Sequence, residues 1–194
     1  MLVVVTGPAR SGKSRIATEL AFSCGKPVVV VAGGQESDPE MARRIAHHQA
    51  ERPVEWRTLE VEEATGWMGD VDAGECVVVE CLGTLVARMM GGLCWDDPDH
   101  VSEQAETMLG MKADLLVEEL YNREGDTIVI SNEVGWSVVP ETPSGRLFRD
   151  VLGRATARLV DSADAAWLAV AGRCIELTGY PRSVTWDDVN GDSE

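Results

Sequence analysis

The stretch "LVVVTGPARSGKS", residues 2–14, joins an unbroken apolar run to a glycine-rich turn and then to a segment of helical character. The run 2–6 shows no alternation of apolar and polar residues, so it predicts a strand buried on both faces, as inside a parallel sheet. The turn after it, Gly7 to Ser14, matches G-x-x-x-x-G-K-[ST]. Glycines at 7 and 12 permit a backbone whose successive N–H groups turn inward as an anion nest. Lys13 then stands where it reaches β- and γ-phosphates, and the Ser14 hydroxyl where it binds Mg²⁺. The positive end of the helix beyond it adds to the same field. The motif therefore predicts that Gly7, Pro8, Ala9, Arg10, Ser11, Gly12, Lys13 and Ser14 hold the phosphates of a purine nucleoside triphosphate with Mg²⁺, with Ser14 as the metal ligand. It does not separate a kinase from an ATPase motor or a GTPase switch.

Outward from this point the same grammar repeats. "PVVVVA" (27–32), "CVVVE" (76–80), "TIVIS" (127–131) and "AAWLAVA" (165–171) read as further strands, mostly continuous in their apolarity. Helical patterns occupy about 13–24, 39–50, 83–90, 102–122 and 144–161, and "WRTLE" (56–60) and "RCIEL" (173–177) add candidate edge strands. Strands alternating with helices predict an α/β fold with a mostly parallel central sheet and helices on both faces. Residues 91–100 form the expected long loop. One domain over residues 1–177 is expected, followed by an acidic tail, 178–194, loosely attached.

Composition narrows the partners. With 44% hydrophobic residues, the chain of 194 can bury a proper core. Asp and Glu number 33 against 17 Lys and Arg, a net charge of −16 that repels nucleic-acid backbones and anionic membranes. A small phosphorylated ligand in a local basic pocket remains compatible with that surface. The five cysteines include no C-x-x-C pair, so reduced thiols are expected rather than a zinc site or disulfides. No apolar run approaches membrane-spanning length, and the expected location is cytoplasmic.

Two of the three histidines are adjacent, His47 and His48, in "SDPEMARRIAHHQAERP" (37–53). Ser37 with Glu40, or Asp38 with Pro39, starts a helix here. Met41, Ile45 and His48 fall on one face at i, i+4 and i+7, with His47 turned about 100° away. On the helix alone, His48 suits a hydrogen-bonded, half-buried position. The sharper alternative is a nucleophile, because a neutral imidazole attacks phosphorus to form a phosphoramidate.

The blocks "GPARSGKS", "EMARRIAHHQAERPVEWRTLE", "VVVECLGTLV", "ISNEVGWSVVPE" and "GRLFRDVLGR", taken in order, resemble the bifunctional adenosylcobinamide kinase/adenosylcobinamide-phosphate guanylyltransferase family. The resemblance covers residues 1 to 177. It implies a RecA-like P-loop domain, assembled as a homotrimer, that uses GTP and ATP as substrates. It implies phosphorylation of the aminopropanol hydroxyl of adenosylcobinamide, followed by transfer of GMP through a guanylylated His48 to give adenosylcobinamide-GDP. Glu80, at the end of "CVVVE", and Glu60, in "WRTLE", match carboxylates that contact the nucleotide. Arg52 is a candidate phosphate clamp. Gly33, Gly34 and Gln35, after the second strand, are expected at the nucleotide, with Gly33-Gly34 as a hinge for the His48 helix. Asn132 and Glu133 follow a strand and are expected at the ligand-bearing edge of the sheet. Arg146 and Arg149 suit either phosphate contact or a solvated helix face.

The chain departs from the family pattern at Ser137, where a second glycine is usual, and at Thr156-Ala157, where Asn-Gln is common. Both bear on contacts with the corrinoid or between subunits. Two other functions compete: a monofunctional P-loop kinase of a small metabolite, in which His48 is structural, and a non-catalytic GTP-binding module. A kinase without His48 chemistry would transfer the γ-phosphate to its substrate and take no label from the α-phosphate, and a sensor would turn nothing over.

Overall fold

The apolar run becomes β1 (Leu2–Gly7), every residue of which is buried. The computed structural model describes residues 1–34, 39–50, 52–94 and 97–185, and within one helix the side chains of Met41, Arg44, Ile45, His47 and His48 fall outside that set. The remaining strands are β2 (Val28–Ala32), β3 (Arg57–Glu60), β4 (Cys76–Glu80), β5 (Asp126–Asn132), β6 (Ala165–Val170) and β7 (Arg173–Glu176). The helices are α1 (Lys13–Ser23), α2 (Pro39–Ala50), α3 (Leu82–Met90), α4 (Glu103–Asn122) and α5 (Pro143–Ser162), with a 3₁₀ turn at Trp67–Asp70.

The strands form one seven-stranded sheet in the order β3-β2-β4-β5-β1-β6-β7. All neighbours are parallel except β6 and β7, which pair antiparallel. β5 lies between β1, which leads into the phosphate-loop motif, and β4, which ends in Glu80. A strand inserted between those two is the RecA-like arrangement of a P-loop fold.

Continuous apolar strands need cover on both faces, and the sheet has it. On one face α1 sets Ile16, Ala17 and Ala21 against Val3, Val5, Val30, Val78 and Ile130. On the other, α4 contributes Leu109, Ala113, Leu116, Val117 and Leu120, spaced as one helical stripe, and α5 adds Leu147, Val151, Leu152 and Leu159. Their starts are local chemistry: the Ser102 hydroxyl accepts from the Ala105 N–H at 3.1 Å, and the Thr142 hydroxyl from the Gly145 N–H at 3.2 Å, with Pro143 opening the first turn.

One expectation changes. Thr156 is an interior residue: its hydroxyl donates to Leu152 O at 2.8 Å and lies 2.7 Å from the Ser131 hydroxyl of β5. The described part of the tail, 178–185, is exposed, with the Arg182 guanidinium paired to Asp161. The rest of the tail, 186–194, lies outside the described residues.

Candidate active site

The loop between β1 and α1 owes its shape to glycine. Gly7 has φ 146° and Gly12 φ 98°, and a Cβ at Gly7 would lie 2.2 Å from Ala169 O of β6. Arg10 also takes a positive φ, 57°, at the tip of the turn. The Lys13 ammonium folds back to donate to Gly7 O at 2.9 Å and Pro8 O at 2.7 Å. Burial lowers its pKa below the ordinary lysine value, and nearby Cys81 works in the opposite direction. Ser11 is 4% exposed, and its hydroxyl finds no hydrogen-bond partner among the described residues. A buried hydroxyl inside an anion nest is the partner a phosphate oxygen requires.

This loop floors a cleft of about 790 Å³. Its other lining residues include Glu40 and Arg43 of α2, Glu80 at the end of β4, Cys81 just after it, Ile130 of β5, and Asn132 at the end of β5. The helix that carries His48 thus borders the phosphate loop with its first turns, and His48 lies five residues beyond Arg43, about 7.5 Å farther along the axis. The His47 and His48 side chains, and Gln35 and Ser37, lie outside the described residues.

A second recess of about 460 Å³ adjoins the first and shares Ser14, Arg15, Glu80 and Ile130 with it. Its floor is apolar sheet, Val30, Val78 and Ile130, and two of its walls are Phe22 and Trp56, whose ring centroids are 5.1 Å apart. Glu80 stands at the junction. One of its oxygens, Oε2, accepts from Arg52 Nη2 at 2.7 Å and Nε at 3.2 Å, while Arg52 Nη1 donates to Thr58 Oγ1 at 3.1 Å. The Arg52 side chain is 12% exposed and that of Glu80 17%, so this ion pair is substantially shielded from water.

The other expected residues separate. Glu60 ends the edge strand β3, exposed, outside the lining of either cleft. Gly33 is buried, its carbonyl accepts from Arg88 Nε at 3.0 Å, and a Cβ there would meet Leu85 Cδ2 at 2.5 Å. The glycine at 33 therefore answers a packing need. Gly34 follows it, half-buried. Arg146 Nη1 donates to Pro140 O at 3.0 Å and Glu141 O at 2.8 Å, which gives it a structural task at the start of α5. Arg149 pairs with its neighbour Asp150.

Sequence reasoning overlooked Cys81. Its thiol, pushed up in pKa chiefly by burial, receives the Asn132 amide N–H at 3.7 Å. The available signal was its place, immediately after the strand-ending Glu80. Among the described residues, no three His, Cys, Asp or Glu side chains cluster to hold a metal, and no helix is long and apolar enough to cross a membrane.

Known proteins resemble this chain in sequence and in fold. The family profile described as "Cobinamide kinase / cobinamide phosphate guanyltransferase" matches residues 3–177. The "Bifunctional adenosylcobalamin biosynthesis protein CobU" of Escherichia coli (strain K12) is 36% identical over 91% of this chain and 99% of its own length. The corresponding protein CobP of Pseudomonas aeruginosa is 38% identical over 90% of both chains. Among solved structures, a protein of Pyrococcus horikoshii OT3 designated PH0250 superposes with a TM-score of 0.50 at 9% identity, over 90% of this chain and 84% of that one. That likeness concerns the fold alone.

Proposed function

The chain belongs to the cobinamide kinase/cobinamide phosphate guanyltransferase family, and on that premise we propose that it phosphorylates adenosylcobinamide and then guanylylates the product. In the first reaction the aminopropanol hydroxyl of adenosylcobinamide attacks the γ-phosphorus of ATP or GTP, and the nucleoside diphosphate leaves. In the second, a neutral His48 imidazole attacks the α-phosphorus of GTP and pyrophosphate leaves. The new phosphate of the acceptor then displaces the imidazole, giving adenosylcobinamide-GDP. The observation that carries this reading is the cleft in which the phosphate loop faces the first turns of α2. A simple kinase has no need of a histidine-bearing helix at that place.

The surrounding residues take roles by their chemistry. Backbone N–H groups of residues 9–14, Lys13 and the Ser11 hydroxyl donate to phosphate oxygens. Mg²⁺ fits the Ser14 hydroxyl at the cleft: this hard cation takes few protein oxygens and draws its other ligands from phosphates and water. When bound, it neutralises charge on the transferred phosphoryl group. The recess walled by Phe22 and Trp56 suits a planar purine, and Glu80 at its mouth offers the acceptor that the N1–H and amino group of guanine require. Arg52 then orients Glu80. We place Glu60 and Gln35 at the rim of the nucleotide on family likeness. The working assembly is a homotrimer in the cytoplasm, with neither nucleic acid nor membrane as partner.

The test uses GTP labelled at the α- or the γ-phosphate, incubated with Mg²⁺ and native or His48→Ala protein, then run on a denaturing gel. Label from the α-phosphate alone, stable to alkali, labile to acid and absent in the variant, is the expected result. Intact GTP binding with no covalent label would reduce the protein to a kinase or a binding module.

A further inference from the structure

The turn that leaves β5 begins inside the nucleotide cleft and ends in solvent. Asn132 lines the cleft, and the next residue, Glu133, donates its N–H to Gly7 O of the phosphate loop at 2.8 Å. The adjoining stretch, "VGWSVVP" (134–140), has no charged residue in a chain of net charge −16. Trp136 is 62% exposed, Val138 91% and Val139 60%.

This is not a slack loop. The Glu133 carboxylate accepts from Gly135 N–H at 2.8 Å, the Ser137 hydroxyl donates to Val134 O at 2.9 Å, and Arg146 grips Pro140 O and Glu141 O at the far end. The fold therefore fixes an indole and two valines outward into water. Apolar groups held in solvent by a pinned backbone mark a surface with a partner. Three extended residues span at most about 10–11 Å, so Trp136 stands within that reach of the residue bonded to the phosphate loop.

We infer that Trp136, Val138 and Val139 form the platform on which the corrin ring of the acceptor lies, an inference that rests on the acceptor being adenosylcobinamide. Three observations select this occupant. The platform is continuous with the cleft through Asn132 and the Glu133–Gly7 hydrogen bond, which places a broad ring beside the loop while its side-chain hydroxyl reaches the γ-phosphate. An indole and two isopropyl groups match the apolar face of a macrocycle. The absence of charge suits a ligand whose rim carries neutral amides. Ser137, which replaces the usual glycine, spends its hydroxyl within the turn and so tightens the platform.

The test compares native protein with Trp136→Ala and with Val138→Ser, the latter at a site too exposed to disturb folding. The KM for adenosylcobinamide is measured in γ-phosphoryl transfer, alongside self-labelling from the α-phosphate and sedimentation velocity. The expected result is an acceptor KM raised about tenfold in Trp136→Ala and less in Val138→Ser, with kcat at saturating acceptor nearly retained. Self-labelling and sedimentation stay native, which reports an intact nucleotide site and assembly. An unchanged acceptor KM overturns the inference. So does a variant whose sedimentation falls, because the platform is then a contact between copies of the chain. If native protein labels itself but ignores adenosylcobinamide, the acceptor assignment fails and the platform assignment with it.

Discussion

Lys13 carries its ammonium where water barely reaches, 6% exposed, held by two carbonyls of its own loop. Burial disfavours the charged form, so the folded protein releases this proton at a lower pH than the unfolded chain does. Between those two values the unfolded state binds more protons, and Lys13's contribution to stability rises with pH there. Phosphate binding has the opposite requirement, because the anion needs the charged form. GTP affinity measured by calorimetry across alkaline pH is therefore expected to fall from a point below the ordinary lysine value. Affinity flat up to that value would show that burial does not tune this lysine. The phosphate loop itself was legible in the sequence because its spacing is local. The Arg52–Glu80 pair was not, because it joins residues 28 apart in sequence, one in the connection from α2 to β3 and the other at the end of β4.

At the scale of elements, the contact between α5 and β5 includes a polar bond inside an apolar layer. Thr156→Val removes the partner of the Ser131 hydroxyl and keeps the volume. The expected cost is about 1–3 kcal/mol in urea unfolding, with part recovered when Ser131→Ala is added. Equal stability of native protein and the single variant would show the bond to contribute nothing. Element positions were read closely from sequence: α4 was expected over 102–122 and spans Glu103–Asn122, because Ser102 is its cap. Buried strands and caps announce themselves over a few residues. Strand order does not, so neither the interior place of Thr156 nor the exposed place of Glu60 at the end of an edge strand could be read in advance. The turn at Trp67–Asp70 was missed for a related reason, since four residues give too short a window for periodicity.

For the whole molecule, α4 shows solvent a second stripe, Met108, Met111 and Leu115, at i, i+3 and i+7. We assign this face to the proposed trimer. Met111→Glu is expected to shift sedimentation from three chains to one while leaving the thermal transition of the single chain in place. A trimer that persists would place the interface elsewhere. The acidic body carries its cations where they are needed, with Arg10, Lys13, Arg15 and Arg43 all facing one cleft, so that field lines from a repelling surface converge on an attracting one. The loop among them does not stand by itself. Gly7 lies against Ala169 O, Ser11 O accepts from Gly172 N–H at 2.9 Å, and Arg15 Nη2 donates to Gly172 O at 3.0 Å, across 157 positions of chain. A nascent polypeptide that has emerged only as far as Asp164 thus possesses the whole nucleotide motif and lacks the buttress that shapes it. The contacts that brace the nucleotide loop are therefore among the last to be made, supplied by the β6–β7 hairpin long after every residue of the motif has been synthesised.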